Sequence, residues 1–187
     1  MKTLFIDACP RTHSRTRKLA QVLLQKLSGE LEHLVLANEQ FPDLDEQGII
    51  HRTEDSRTGN FSDAKYEYAK RFADADNIVI AAPFWDLSFP ASLKKYIETI
   101  SVVGITFRYS EEGVPVGLCK AKKLIYVTTA GGRILNDEFG YGYIKALATG
   151  MYGIPECVMY KAENLDVYGN DADQIIKTAA EAIENME

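Results

Sequence analysis

Five short apolar runs, each followed by a stretch of helical periodicity, constrain this chain more than anything else in it. The runs are Leu4-Phe5-Ile6, Leu34-Val35-Leu36, Ile78-Val79-Ile80-Ala81-Ala82, Leu124-Ile125-Tyr126-Val127 and Cys157 to Tyr160. They are short, mostly branched and bounded by polar residues or Pro83, as strands buried on both faces are. Between and after them lie the apolar stripes Leu19/Val22/Leu23/Leu27, Ala64/Tyr68/Phe72/Ala75, Leu93/Ile97/Ile100, Phe139/Tyr143/Leu147/Met151 and Ile175/Ala179/Ile183. That spacing predicts amphipathic helices. Strand then helix, five times over, specifies a parallel α/β sheet covered on both faces. Right-handed crossovers leave few topologies, and a doubly wound five-stranded sheet of order 2-1-3-4-5 is the economical one.

The local signals fill in the frame. Ser14 or Thr16 is expected to cap the first helix, with Gly29 just past its end. Ser62 is expected to cap the helix before the third strand. Asp171 followed by Gln174 predicts a capping-box-like start to the last helix. Asn38 to Asn60, polar and carrying Pro42, Gly48 and Gly59, reads as a long loop. Ile105 to Val116 reads as a hairpin turned at Glu111-Glu112-Gly113, an insertion near 105–117 in the fourth crossover.

A chain of 187 residues suits one domain spanning 1–187. A net charge of -6 gives no support for binding nucleic acid or a membrane surface. No apolar run approaches the roughly 20 residues of a spanning helix. Cys9, Cys119 and Cys157 form no Cys-x-x-Cys pair, which favours reduced thiols and a cytoplasmic setting. His13, His33 and His51 have no ligand spacing, so no metal is expected.

In the 2-1-3-4-5 topology the loops after strands one, three and four open on one edge, where ligands of such sheets bind. The first carries Ser14-Arg15-Thr16 at a helix N-terminus, suited to a phosphate. The second carries Phe84 and Trp85, a platform for a flat ring, just before Pro90 opens a helix. The third carries Gly131-Gly132, where bare backbone can approach a ligand. A phosphorylated planar cofactor satisfies all three. Arg11, His13, Arg17 and Lys18 read as a solvated face.

The segments Phe84-Trp85-Asp86-Leu87-Ser88-Phe89-Pro90-Ala91-Ser92-Leu93-Lys94-Lys95-Tyr96-Ile97, Gly104 to Tyr109 and Thr128-Thr129-Ala130-Gly131-Gly132 resemble the flavodoxin-like NAD(P)H-dependent oxidoreductases. The resemblance is to their FMN-dependent NADH-azoreductase and quinone-reductase group. It implies a homodimer with FMN at the carboxyl edge of the sheet and the active site at the subunit interface. Carried over by position, Cys9, Ser14, Arg15 and Thr16 would lie in the phosphate loop. Phe84, Trp85, Asp86 and Leu87 would run beside the flavin ring, and Thr129, Ala130, Gly131 and Gly132 would approach it. NADH or NADPH would reduce the flavin, and a quinone, azo or nitro acceptor would reoxidise it at the same site, with ping-pong kinetics. Hydride would pass through flavin N5, so no side chain is expected to be catalytic. Two departures stand out. Asp86 replaces the family's usual Asn; an ionised carboxylate only accepts, so Asp86 would work through its backbone or shift the flavin's potential. Cys9 replaces a common Ser and would pack instead.

Two rival readings accompany this one. Cys9 to Thr16 also fits Cys-x5-Arg-Ser/Thr, the loop of tyrosine phosphatases, with Cys9 as thiolate nucleophile and Arg15 holding the phosphate. Pro10 speaks against it, since it removes an N–H from the cradle. The other rival is a non-catalytic flavodoxin-like electron carrier.

Overall fold

The computed structural model describes residues 1–41 and 44–185; Pro42 of the expected loop lies outside them. The elements run β1 (Lys2–Asp7), α1 (Arg15–Lys26), β2 (Glu30–Val35), α2 (Glu46–Thr58), α3 (Glu67–Asp74), β3 (Asn77–Ala81) and α4 (Ala91–Ile100). Then come β4 (Phe107–Tyr109), β5 (Pro115–Gly117), β6 (Lys123–Thr129), α5 (Tyr143–Leu147), β7 (Glu156–Ala162) and α6 (Ala172–Glu184). Five strands form one parallel sheet in the order β2-β1-β3-β6-β7. With the antiparallel β4–β5 hairpin set aside, this is the expected order 2-1-3-4-5.

The period-two alternation of the strands sorts the core into two layers. Leu4, Ile6, Ile78, Ile80, Leu124 and Tyr126 face one side, under Phe72 of α3, Leu93 and Tyr96 of α4 and Ile144 of α5. Phe5, Val79, Ile125 and Val127 face the other, under Leu19 and Leu23 of α1 and Ile183 of α6. Each such side chain, fully buried, contributes about 1.5–3 kcal/mol. The strand runs lack polar alternation because both faces are covered.

Several boundaries differ from the sequence reading. The stretch 38–60 is not one loop: it holds α2, capped by Asp45, whose Oδ1 accepts from Gly48 N at 2.8 Å. No apolar stripe announces α2 because it buries none of its residues. It is held instead by polar ties. Arg52 donates to the carbonyls of Glu98 and Thr99, at 3.0 and 2.8 Å, at the end of α4. Tyr66 donates to Asp55 at 2.7 Å. Asp63 rather than Ser62 starts the next helical segment, accepting from Lys65 N at 2.8 Å. Gly29 does not end α1, whose C-cap is Leu27. It turns the chain into β2 with φ +104°, and a Cβ there would strike the Met1 carbonyl. The 139–152 helix contains π-helical turns, Glu138–Gly142 and Ala148–Tyr152, on either side of α5. Ser14 and Asp171 cap α1 and α6 as expected. Among the described residues no helix is long and apolar enough to cross a membrane.

Candidate functional site

The carboxyl ends of β1, β3 and β6 lie side by side, and the chain continues past each as a loop. The first loop is built from inside. Asp7, the last residue of β1, is fully buried. A buried carboxylate needs partners. Cys9 N donates to its Oδ1 at 3.0 Å, Arg17 Nε donates to its Oδ2, and His33 Nε2 stands 3.2 Å from that same oxygen. Burial opposes ionisation of Asp7, but the Arg17 and Cys9 bonds outweigh it and hold the carboxyl below its ordinary range. The rest of the Arg17 guanidinium donates to the carbonyls of Cys9, Arg11 and Thr12, at 2.9, 2.8 and 2.8 Å. Arg17 is therefore the internal post around which residues 9–12 are wound, not part of a solvated face.

That post sets the N-terminus of α1. Ser14 Oγ accepts from Arg17 N at 3.3 Å, which leaves its own hydroxyl proton to donate elsewhere. Helix geometry gives the N–H groups of Arg15 and Thr16 no intrahelical acceptor. Thr16 Oγ1 lies 2.6 Å from Thr129 Oγ1, tying α1 to the end of β6.

Beyond β3 the ladder outlasts the strand. Ala82 N donates to Val127 O at 3.0 Å and Phe84 N to Thr129 O at 3.0 Å. Pro83 sits between them, at a position whose N–H would face away from β6. Its missing donor therefore costs the ladder nothing. Phe84 packs on the backbone of Gly140, 3.9 Å from where a Cβ would stand. Trp85 and Ser88 then exchange backbone hydrogen bonds, at 3.1 and 2.7 Å, around a two-residue turn. The turn residues Asp86 and Leu87 have φ of 51° and 65°. Both central residues are left-handed, the geometry that favours Asn-Gly. Asp tolerates it, as would the Asn usual in the family; Leu does so only at a cost. Leu87→Gly is therefore expected to raise stability by about 1 kcal/mol, read as a higher urea midpoint at unchanged slope. A lower midpoint would show the turn to be unstrained.

The third wall has a part that the sequence reading missed. After β7 the chain turns back along the end of β6. Leu165 N, Asp166 N and Asn164 N donate to the carbonyls of Ala130, Gly131 and Gly132, at 3.2, 2.8 and 3.0 Å. Asp166 then reaches Arg15 across the gap, 2.7 Å from its Nη1. The fifth loop opens on the same edge as the other three, which was the available signal.

These loops enclose a cleft of about 390 Å³. Of the residues singled out in the sequence, Ser14, Arg15, Thr16, Phe84, Trp85, Thr129, Ala130 and Gly131 line it together. Arg11, His13 and Asp166 join them. Asp86 and Leu87 stand in the exposed turn beside it, and the position where Gly132 would carry a Cβ is open space. Cys9 lies elsewhere: its side chain is 1 % exposed and belongs to the layer under α1.

That placement removes the phosphatase reading. Burial pushes the Cys9 thiol up to about 12, and Sγ points at the Ala81 carbonyl, 3.6 Å away. Roughly one thiol in ten thousand is then ionised at pH 8, whereas such an enzyme needs a thiolate. The raised value also makes the neutral thiol favour folding. Its contribution is whole below about pH 8.5 and is lost as the pH climbs toward the folded value. Native protein at pH 8 should leave Cys9 unalkylated by iodoacetamide while the urea-unfolded chain labels readily. Fast native labelling of Cys9, together with hydrolysis of a phenyl phosphate, would restore the phosphatase.

Comparison with known proteins agrees with the geometry. The Flavodoxin_2 family, described as a flavodoxin-like fold, matches residues 1–186. The chain is 39 % identical over 193 aligned residues to FMN-dependent NADH:quinone oxidoreductase 2 of Clostridium acetobutylicum, covering 96 % of this chain and 94 % of that protein. It superposes on an azoreductase from Bacillus anthracis with a TM-score of 0.83 at 25 % identity, over 98 % of this chain and 96 % of that one. An FMN-dependent NADH-azoreductase of Bacillus anthracis, solved in complex with FMN, superposes with a TM-score of 0.78 at 25 % identity, over 98 % and 95 % of the two chains. Agreement along nearly the whole sequence, on the same strand order, means that this chain belongs to the Flavodoxin_2 family, as a relative of the FMN-dependent NADH:quinone oxidoreductases.

Proposed function

We propose that this chain, as one domain, is an FMN-dependent NADH oxidoreductase that delivers two electrons to a quinone or azo acceptor. The observation that carries the reading is one cleft with a helix N-terminus at one end and an aromatic loop at the other. The donor set fits FMN. Ser14, Arg15 and Thr16 offer backbone N–H groups, a hydroxyl and a guanidinium to a phosphate. Phe84 and Trp85 offer a wall to a ring, and Thr129, Ala130 and Gly131 face it from the next strand end. Asp86 and Leu87 serve through the backbone of their turn, Gly132 borders the opening, and Cys9 supports the loop from below.

FMN held in this cleft supplies the two-electron centre that takes hydride from NADH, or NADPH, and yields it to the acceptor. The protein's part is position and dryness. Arg17 fixes the loop that grips the phosphate, and the Trp85–Ser88 turn fixes the wall. Ser88 Oγ donates to Phe139 O at 2.5 Å, which joins that wall to the segment before α5. Trp85, Leu87 and Phe139 stay 41, 55 and 58 % exposed around the rim. A second copy of the chain would cover them and shield the open face of the flavin from water. The reading includes a cytoplasmic location, supported by the free thiols of Cys9, Cys119 and Cys157.

Anaerobic NADH should bleach the flavin of the purified chain, and a quinone or an azo dye should restore it, with parallel double-reciprocal lines. Sedimentation should give a dimer. A chain that stays colourless after refolding with excess FMN and desalting would falsify the flavin reading. Colour that NADH leaves unbleached would mark an electron carrier.

A further inference from the structure

Arg15 and Asp166 face each other across the cleft from chain positions 151 residues apart. Arg15 Nη1 donates to Asp166 Oδ1 at 2.7 Å, and the two side chains are 47 and 68 % exposed. The carboxylate has a built seat. A Cβ on Gly131 would fall 2.5 Å from Asp166 Oδ2 and 3.3 Å from its Cβ. Gly131 therefore makes room for Asp166 as much as for any ligand, a second use for a glycine that the sequence assigned to close ligand approach. The other ionisable side chains of the lining are those of Arg11, His13 and Arg15, so Asp166 is the one carboxylate among the described residues that line the cleft.

We infer that Asp166 is a positioning residue acting through Arg15: it competes with a phosphate at the start of α1 for the guanidinium, and so limits the cleft's preference for phosphorylated over unphosphorylated flavin. The inference rests on the flavin reading above. Arg presents its N–H donors in a rigid fork that suits carboxylate and phosphate alike. A donor held by Asp166 is withheld from phosphate. The ion pair is exposed, so water and salt screen it, and a better anion can exchange for it.

Equilibrium dialysis of the full chain against FMN and against riboflavin tests this. Asp166→Asn should tighten FMN up to about fivefold and leave riboflavin within about 1.5-fold, because riboflavin has no phosphate. Asp166→Ser, which removes the charge with a different shape, should do the same. In an Arg15→Gln background FMN should bind more weakly, and Asp166→Asn should then gain less than twofold. The same gain persisting without Arg15 would overturn the inference, as would equal shifts for both flavins, weaker FMN binding, or no change. A wild-type chain that binds neither flavin would overturn the flavin reading itself, which is a different result from one that binds both but ignores Asp166.

Discussion

Arg17→Met is expected to cost about 3–5 kcal/mol of stability, the loss typical when a buried charge is stripped of its partner. Asp7 is fully buried, and Arg17 is its principal partner. Without the guanidinium, burial dominates and the Asp7 carboxyl rises above its unfolded value. The sign of the acid response then inverts at this residue. In the wild type the lowered Asp7 value adds stability that is complete above about pH 4 and fades as the pH falls through the folded value. In the variant a raised Asp7 opposes folding at neutral pH, and protonation relieves it. His33 Nε2 also stands 3.2 Å from Asp7 Oδ2 and would remain beside the carboxylate in the variant. The deficit measured by urea unfolding should therefore be largest near neutrality and shrink toward pH 4. A deficit independent of pH would mean that Arg17 acts only through the carbonyls of Cys9, Arg11 and Thr12. In either case those carbonyls lose their donor and loop 9–12 loosens, so the variant should also shed FMN on gel filtration.

Gly117→Ala is expected to cost about 3 kcal/mol and to undock the β4–β5 hairpin. A Cβ at 117 would overlap the Gly153 nitrogen and the Tyr152 carbonyl, backbone against backbone, so no rotamer change can relieve it. The approach is mutual: a Cβ on Gly153 would meet Gly117 Cα at 3.0 Å, and Gly153 has φ +75°. Gly153→Ala should cost less alone than Gly117→Ala, because its contact is tight but not overlapping, yet more than the left-handed penalty by itself. Once Gly117→Ala has separated the two segments, however, adding it should cost only the left-handed penalty of about 1 kcal/mol. Strict additivity of the two in chemical denaturation would show that the hairpin does not move.

What the sequence disclosed follows from what periodicity can register. The five strands and the helices on α1, α3, α4 and α6 were legible because each buries a face, and burial writes a period. α2 buries nothing and wrote none. The rim was legible in part: the Ser14 cap, the aromatic pair and the glycines are local chemistry. Arg17 was not, because its task is to bond carbonyls in a neighbouring loop, which has no pattern. A clue did exist in Asp7, a carboxylate at the end of an otherwise apolar strand, whose burial requires a cationic partner nearby. The left-handed Asp86–Leu87 turn was hidden by Leu87, a residue that propensity would not put there. The Asp166 loop was overlooked because only three of the loops at that edge carried unusual residues.

α2 also bears on how the fold can drift. Residues 46–58 touch the rest of the chain through Arg52 and Asp55 and place no side chain in either core layer. Selection on α2 then falls on a few polar ties instead of on a packed face. Residues 46–58 can diverge in sequence and in length while α3 keeps its buried face and the strand ends that frame the cleft stay where they are.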